Sequence, residues 1–382
     1  MMRSNLTCGA CVLAAFAAFV GGCRRGHTAM QIDPAQAYVD ARSTLLQMVD
    51  DRDARARTHA LEALAATEGA SVGAAFKEAL KDDRLPVLSA AAMAVGKTRY
   101  VPAKERLLEL AERPDVPAKL KCALIYALHR LGDDRHTSEL ASLLRDPEDK
   151  WVRAEAAKIM GLMSEPSAIG PLKSLQEDEH EVVVRLQVFE ALALLDGDDE
   201  RSLGMLEAYS KSQFMEDKII AIEALGKLRH RRAIMVLRRL VDDRGQDVIV
   251  RVAAAGSLAQ LGDVRGYAMT LRAAVDPEAE LKRARGRTAP IQPDEVAILQ
   301  TRAVMALAHM GDLAAVDHLH PLLHSSDPAI RAVSAQTILR LLRSYRPKEQ
   351  AGAKPKPKVA PKAPEKKKQP PRPRLHTSGA KD

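Results

Sequence analysis

Three histidines near residue 320 have the types and spacing that could bind a metal ion. His320 and His324 are four residues apart, the spacing at which two imidazoles share one helix face in zinc sites. Asp317 and His318 are close by in the sequence. Pro321 lies between the two imidazoles, however, and His318 falls on another face. We therefore expect surface histidines here and no metal site.

Cysteine offers little chemistry either. Cys8 and Cys11 have the C-x2-C spacing of zinc sites, but they lie within an apolar amino-terminal stretch. Cys122 belongs to the apolar segment KCALIYAL, where a single thiol is expected to be a small buried core residue. The sequence has no Gly-rich phosphate loop before a helix and no G-x-S-x-G element, so neither the P-loop nor the nucleophile-elbow motif is present. We predict a protein that is not an enzyme and needs no cofactor.

The amino terminus resembles the signal peptide of bacterial lipoproteins. Arg3 precedes an uncharged, mostly apolar stretch at 6–20, which is too short for a comfortable membrane span. The stretch ends in the sequence VGGC at 20–23, which is similar to the lipobox cleaved by signal peptidase II. The resemblance implies that Cys23 becomes the lipidated amino terminus of the mature protein.

The same resemblance implies where the protein resides. Residues 1–22 would be removed as the signal peptide, and residues 23–35 would form a linker after the lipid. Lipoproteins that stay at the inner membrane commonly carry Asp directly after the lipidated Cys, whereas this chain has Arg24. We therefore expect an exported protein, anchored at the periplasmic face of the outer membrane if the organism has one.

The net positive charge of the chain lies in its last part. Twelve of the 58 Lys and Arg residues, but only three of the 50 Asp and Glu residues, lie at 344–382, so the remainder is nearly neutral. Proline blocks helix formation and lysine opposes collapse, so residues 345–382 are predicted to be a disordered Lys/Pro-rich tail. This tail either contacts anionic lipid or an anionic envelope polymer, or it only keeps the protein soluble. The neutral remainder and the export signal argue against nucleic acid as a partner.

A repeat of about 32 residues identifies the elements that must position any site. Polar residues mark each unit, and the positions one before, three after and seven after the marker are mostly apolar or small, as on one face of a helix. The markers are Arg57, Ser89, Lys121, Arg153, Arg185, Lys218, Arg251, Gln300 and Arg331. Seven of the nine are basic, and we expect these seven, the ladder bases, to have a structural role.

The marked helices resemble the second helices of HEAT repeats, in the short Ala-rich bacterial style. The clearest matches are DKWVRAEAAKIMGLMSE and VRVAAAGSLAQLGD, and the resemblance covers about residues 40–343. It implies an all-α fold, an α-solenoid of about nine stacked helical hairpins over residues 36–344. With helices roughly 8–10 Å apart, nine pairs would form an arc on the order of 80–90 Å, and the resemblance places the second helices on its concave side.

Two irregularities are candidate partner-binding positions. The interval between Arg251 and Gln300 is 49 residues, which indicates an insertion at about 280–294 that either binds a partner or is a tolerated solvated loop. Its bases are Lys282, Arg283, Arg285 and Arg287. Trp151, the single tryptophan, is expected to pack between repeats, with an exposed anchor for a partner as the alternative.

These observations favour a lipid-anchored envelope scaffold that binds an unidentified protein partner. The alternative is a cell-wall or anionic-polymer binding protein that acts through its basic tail. The least favoured hypothesis is an enzyme, because phycobilin lyases have similar Ala-rich repeats and deoxyhypusine hydroxylases bind iron through repeated His-Glu pairs. Only His180-Glu181 forms such a pair in this chain, so that ligand set is missing.

Overall fold

A computed structural model of the chain describes residues 30–346, except for 198, 287 and 289. The signal peptide, the lipidation position Cys23 and the tail after Arg346 therefore lie outside the described residues. Every regular element within the described range is helical, which confirms the predicted all-α class. No helix there is both long and apolar enough to cross a bilayer.

The helices alternate between short first helices and longer second helices of nine hairpins. The first helices are α1 (Pro34–Met48), α3 (Gly73–Ala79), α5 (Lys104–Ala111), α7 (Glu139–Leu143), α9 (Ile169–Asp178), α11 (Glu200–Tyr209), α13 (Arg231–Asp242), α15 (Tyr267–Val275) and α18 (Ala315–Leu319). The second helices are α2 (Ala54–Thr67), α4 (Leu85–Thr98), α6 (Ala118–Arg130), α8 (Lys150–Met163), α10 (Val182–Leu195), α12 (Met215–Lys227), α14 (Val248–Gln260), α17 (Pro293–Met310) and α19 (Pro328–Leu341). An extra helix, α16 (Pro277–Arg285), lies between α15 and α17.

Aspartate caps begin many of these helices. Asp53 and Asp247 accept hydrogen bonds from backbone N–H groups of α2 and α14, which satisfies donors that have no partner within the helix. Asp276 and Asp327 do the same from Asp-Pro pairs, which place proline at the first helical position. The pair at 146–147 is different, because α8 begins three residues later with Asp149 as its cap.

The second helices pack side by side in chain order, and this row closes on itself. Each one contacts the next along the chain, and α19 packs against α17 on one side and α2 on the other. Helix α1 also packs against α19. The hairpins therefore form a closed circle of contacts and not the open arc expected from the sequence. Repeat arrays curve by a small rotation at each repeat, and here these rotations add up to closure.

The second helices form the inner row of this circle. They contact one another directly, whereas each first helix packs mainly on second helices, as expected of elements spread over the longer outer circumference. The inner face is the side of the second helices that is turned away from the first helices. It is accessible on α8, α12 and α17 but almost fully buried on α6 and α14.

Glycines allow the closest approaches within the inner row. A Cβ atom on Gly161 of α8 would lie 2.9 Å from the Cα of Ala191 on α10, and one on Gly226 would lie 2.8 Å from the Cα of Ser257. Such contacts are closer than a side chain permits, so these two glycines set the spacing between neighbouring second helices. The core around them is built mainly from buried Ala, Leu, Val and Ile.

Candidate functional site

The ladder base Arg153 shows how successive repeats are joined. It lies in the first turn of α8, where its Nε donates to Glu179 Oε2 over 2.7 Å and its Nη1 donates to the carbonyl of Asp146 over 2.9 Å. Glu179 belongs to the next repeat, between α9 and α10. The Glu179 side chain is 6% exposed and that of Arg153 is 16% exposed, so this charge-assisted pair is shielded from solvent and fixes adjacent hairpins.

Two other ladder bases repeat this arrangement. Arg57 donates to both carboxylate oxygens of Asp82, over 2.8 and 3.0 Å, and to the carbonyl of Asp51. These bonds raise the pKa of Arg57 and help to lower that of Asp82. Arg331 in the last repeat donates to the carbonyl of Ser325 and lies 3.6 Å from the carboxylate of Asp51 in the first. The ladder thus continues across the point where the circle closes.

The remaining ladder bases vary the pattern. Lys121 pairs with Glu139 over 2.9 Å, and Arg251 donates to the carbonyl of Val241. Arg185 stacks its guanidinium near the rings of Phe189 and Tyr209, at 5.6 and 5.9 Å. Lys218 lies half-buried in the first turn of α12. The basic marker is therefore a repeated structural position that uses several kinds of contact.

The insertion adds the helix α16 to the eighth hairpin, with its bases held by carboxylates. Arg285 donates to Asp247 and to Glu295, over 2.6 and 2.8 Å at the shortest, and its side chain is 24% exposed. Lys282 pairs with Glu278, and Arg283 lies 3.2 Å from Glu280. Arg287 lies outside the described residues. Three of the four candidate bases are thus neutralised within the chain, which leaves little unpaired charge for a partner.

Trp151 does not pack between repeats as expected. Its side chain is 53% exposed in the first turn of α8, and Lys150 Nζ lies 6.0 Å from the ring centroid. Leu162 lies eleven residues further on the same helix and is 40% exposed. Eleven residues are about three helical turns, so both side chains share the inner face.

Leu194 extends this apolar surface onto the next second helix. It is 39% exposed and stands nine residues after its marker Arg185, as Leu162 stands nine after Arg153. Because α8 and α10 pack side by side, we treat Trp151, Leu162 and Leu194 as one surface and call it the inner apolar strip. Sequence reasoning missed the strip, although the apolar residues at these polar-face positions were its signal.

The histidines near residue 320 take part in the closure of the circle. His320 Nε2 lies 2.9 Å from Asp40 on α1, and this hydrogen bond lowers the pKa of Asp40. Asp317 accepts hydrogen bonds from the backbone N–H groups of Gln31 and Ile32, over 2.9 to 3.1 Å. His318 is exposed. Within residues 30–346 as described, no three His, Cys, Asp or Glu side chains come together as metal ligands.

A buried carboxylate completes the closure. Glu68 follows α2 and its side chain is 1% exposed. It accepts hydrogen bonds from the hydroxyl of Tyr38 over 2.6 Å and from Nε of Arg42 over 3.0 Å, while Arg346 lies 3.4 Å away. Burial and the Glu68 carboxylate raise the pKa of Tyr38 to about 12. The contacts of α1, Glu68 and Arg346 join the two ends of the repeat array.

Two further features bear on chemistry. Cys122 is fully buried, as expected, and burial raises the pKa of its thiol to about 12, so it is a poor nucleophile. His129, Asp134 and Glu165 line a cavity of about 420 Å³. Nδ1 of His129 lies 2.6 Å from the carboxylate of Asp134, and its Nε2 lies 3.7 Å from that of Glu165. Among the described side chains, no hydroxyl hydrogen-bonds to this imidazole, so the arrangement lacks an activated nucleophile.

Comparisons with known proteins identify the repeats. A family model described as HEAT repeats matches residues 104–193 and 202–288, and one described as the PBS lyase HEAT-like repeat matches 299–325. No curated protein matches the sequence.

Two solved structures are similar at low identity. One is a chain from the complex of CpcE and CpcF of phycocyanin lyase from Nostoc sp. PCC7120, with 15% identity over 72% of this chain and 96% of that chain, and a TM-score of 0.41. The other is human deoxyhypusine hydroxylase in complex with glycerol, with 18% identity over 66% of this chain and 96% of that chain, and a TM-score of 0.32. Likenesses this distant carry no argument about activity.

Proposed function

Because this chain belongs to the HEAT-repeat family, we propose that it is a non-enzymatic scaffold that binds a protein partner on its inner face. The observation that carries the proposal is the inner apolar strip of Trp151, Leu162 and Leu194, in which each side chain is 39–53% exposed. On α8 the Glu155–Lys158 ion pair lies between Trp151 and Leu162, so the strip consists of apolar side chains on one face with a charged pair among them. Large exposed apolar side chains on one face mark a candidate protein-binding surface, and tryptophan is the side chain most often found at the energetic centre of such surfaces.

The proposal includes a lipid anchor in the bacterial envelope. It is supported by the lipobox-like sequence that ends at Cys23, after a leader at 1–22. Residues 23–35 then link the lipid to the repeats, and the scaffold resides at the membrane surface on the exported side. A Cys23→Ser variant is expected to lose the mass of the acyl chains that the native protein carries on its amino-terminal peptide. A native amino-terminal peptide without acyl chains would contradict lipid anchoring and would not bear on the scaffold role.

Site-specific photocrosslinking tests the scaffold role. A photoreactive residue at Leu162 is expected to capture a discrete protein in the native cell, and Trp151→Ala is expected to abolish the adduct. Met235 on the first helix α13 provides a matched control, because it is an apolar side chain of equal exposure to Trp151, 53%, on the outer row. Equal capture from positions 162 and 235, or capture unaffected by Trp151→Ala, would show that the inner apolar strip is not the binding surface.

A second candidate function rests on the net positive charge of residues 344–382. In it, the basic tail binds an anionic polymer of the cell wall or membrane surface. Deleting residues 347–382 separates the two functions. The scaffold role predicts that the adduct at position 162 survives, whereas the tail-binding role predicts that the truncated protein no longer binds isolated cell-wall polymer. An enzyme remains the third hypothesis, and a chromophore or metal that co-purifies with the protein would favour it.

A further inference from the structure

Three bases lie in the last turns of second helices that are close together in the circle. Lys97 is near the end of α4, His309 is near the end of α17, and Arg340 is near the end of α19. Helix α19 packs against α17 and α2, and α2 packs against α4. We call Lys97, His309 and Arg340 the inner base cluster.

The hydrogen bonds of the inner base cluster leave its charge unbalanced. Arg340 Nη1 donates to His309 Nε2 over 3.1 Å, so the imidazole must be neutral at this nitrogen to accept the bond. In the described part of the chain, neither Lys97 nor Arg340 forms an ion pair with a carboxylate. The Glu62 carboxylate on α2 has an electrostatic influence on Lys97 but no hydrogen bond to it. Oε2 of Glu62 lies 3.7 Å from Nδ1 of His59.

Electrostatics agree with this geometry. Desolvation lowers the pKa of all three side chains, and the charge of Arg340 lowers the pKa of Lys97 and of His309 further. Desolvation and a nearby like charge both disfavour the protonated form. Lys97 and His309 nevertheless remain exposed to solvent, and Arg340 is partly exposed. The cluster is therefore surrounded by protein yet open to a ligand.

A structural role explains only part of this arrangement. A base in the last turn of a helix is favoured by the negative end of the helix dipole, and that would account for each residue taken singly. It does not account for a guanidinium that donates to an imidazole, or for two cations within electrostatic reach of each other with no carboxylate bonded to either. An anion bound between Arg340 and Lys97 would balance the positive charge of both side chains.

We propose that the inner base cluster is an oxyanion-binding site, in which Lys97 and Arg340 bind a carboxylate or phosphate group. Arg340 supplies planar guanidinium donors suited to paired oxygens, and Lys97 supplies a point charge. His309 positions the guanidinium through the bond that it accepts. The site is independent of the inner apolar strip, so the proposal does not rest on the protein-scaffold role.

Calorimetric titration of the full chain tests the site with two probes, inorganic phosphate and an acetylated tetraglutamate amide. At least one probe is expected to bind, with affinity reduced about ten-fold or more by Lys97→Gln and by Arg340→Gln, since each removes a charged contact worth at least ~1.4 kcal/mol. The matched controls are Lys81→Gln and Arg113→Gln, which alter exposed bases paired with Glu78 and Asp115. The basic tail is unchanged in all four variants, so any binding to it cancels in the comparison.

The outcomes separate the sources of the oxyanion. Phosphate binding that both cluster variants weaken indicates a free anion, and peptide binding that they weaken indicates a carboxylate of a protein segment. Binding of neither probe, or affinities that the two cluster variants leave unchanged, would overturn the proposal. Thermal unfolding shows whether a variant is correctly folded. Because Lys97→Gln removes an unbalanced charge, this variant is expected to unfold at the same temperature as the native chain or at a higher one.

Discussion

Nη2 of Arg331 lies 3.6 Å from the carboxylate of Asp51, although the first residue belongs to the last repeat and the second to the first. The same kind of pair joins Arg57 to Asp82 and Arg153 to Glu179 in consecutive repeats. The last hairpin thus contacts the first hairpin in the way that each earlier hairpin contacts the next one along the chain. Closure removes the exposed ends that an open repeat array must cap, and it makes the contacts of the two ends essential to stability.

Removal of the buried carboxylate at the closure is expected to destabilise the fold strongly. Glu68→Ala leaves the Tyr38 hydroxyl buried without its acceptor and removes a carboxylate that Arg42 and Arg346 both contact. Loss of one partner of a buried charged pair typically costs about 3–5 kcal/mol, so we expect a decrease of ~3 kcal/mol in the free energy of unfolding. Urea denaturation followed by circular dichroism measures it.

The control for this variant is Glu62→Ala in α2, the helix that Glu68 follows. The Glu62 side chain is 62% exposed, and exposed substitutions usually change stability by less than about 0.5 kcal/mol. Equal losses in the two variants would show that Glu68 has no special role at the closure.

The sequence predicts what is local in this fold. The repeat of 32 or 33 residues locates the second helices, because each must present an apolar face at the helical period. The recurrent base identifies the ladder, because a cation at this place meets a carbonyl of its own hairpin and a carboxylate of the next, as Arg153 does. Burial of Cys122 follows from its apolar neighbours.

The sequence does not predict what depends on the sum of many small rotations. Gln31 and Asp317 are 286 residues apart when they hydrogen-bond, and the periodicity of single repeats contains no information about that meeting. The same reason explains why Trp151 was wrongly expected to pack between repeats. Whether a residue at the start of a second helix is covered depends on how neighbouring hairpins pack around it, and the inner face is accessible on α8 but buried on α14.

Alkaline pH is expected to weaken the closure through Tyr38. Its pKa is raised to about 12 in the folded protein, first by burial and then by Glu68, while the unfolded chain has the ordinary value of about 10. A raised pKa means that this stabilisation is fully present below pH 10 and is lost as the pH rises towards 12. Urea denaturation at several pH values measures the loss, which is expected to be smaller in Tyr38→Phe. An identical pH dependence in both proteins would rule out this role for Tyr38.

Two glycine substitutions separate helix propensity from helix packing. Gly161→Ala places a methyl group 2.9 Å from the backbone of Ala191, so α8 and α10 must move apart at a cost of about 1–3 kcal/mol. Gly204→Ala in α11 meets nothing within 4 Å and is expected to stabilise the protein by about 0.5–1 kcal/mol, because alanine is the better helix former. Thermal or urea unfolding of the pair checks the opposite signs. A gain in stability for both variants would mean that the inner row is not packed as closely as described.

The insertion is expected to owe its helical form to Glu280. This side chain is 6% exposed and accepts hydrogen bonds from Arg272 over 2.8 and 3.1 Å, with Arg283 at 3.2 Å. Hydrogen bonds to charged groups contribute about 1.5–3 kcal/mol each, and α16 has a small apolar contact, so Glu280→Ala is expected to detach α16 before the rest unfolds. Hydrogen exchange of the backbone amides of α16 should accelerate at least ten-fold, while the amides of α14 keep their rates. Glu278→Ala removes only the surface pair with Lys282 and is expected to leave α16 protected, since such pairs contribute little. Equal exchange in the two variants would show that α16 is held by its apolar contacts and by the bonds of Arg285 to Asp247 and Glu295 instead.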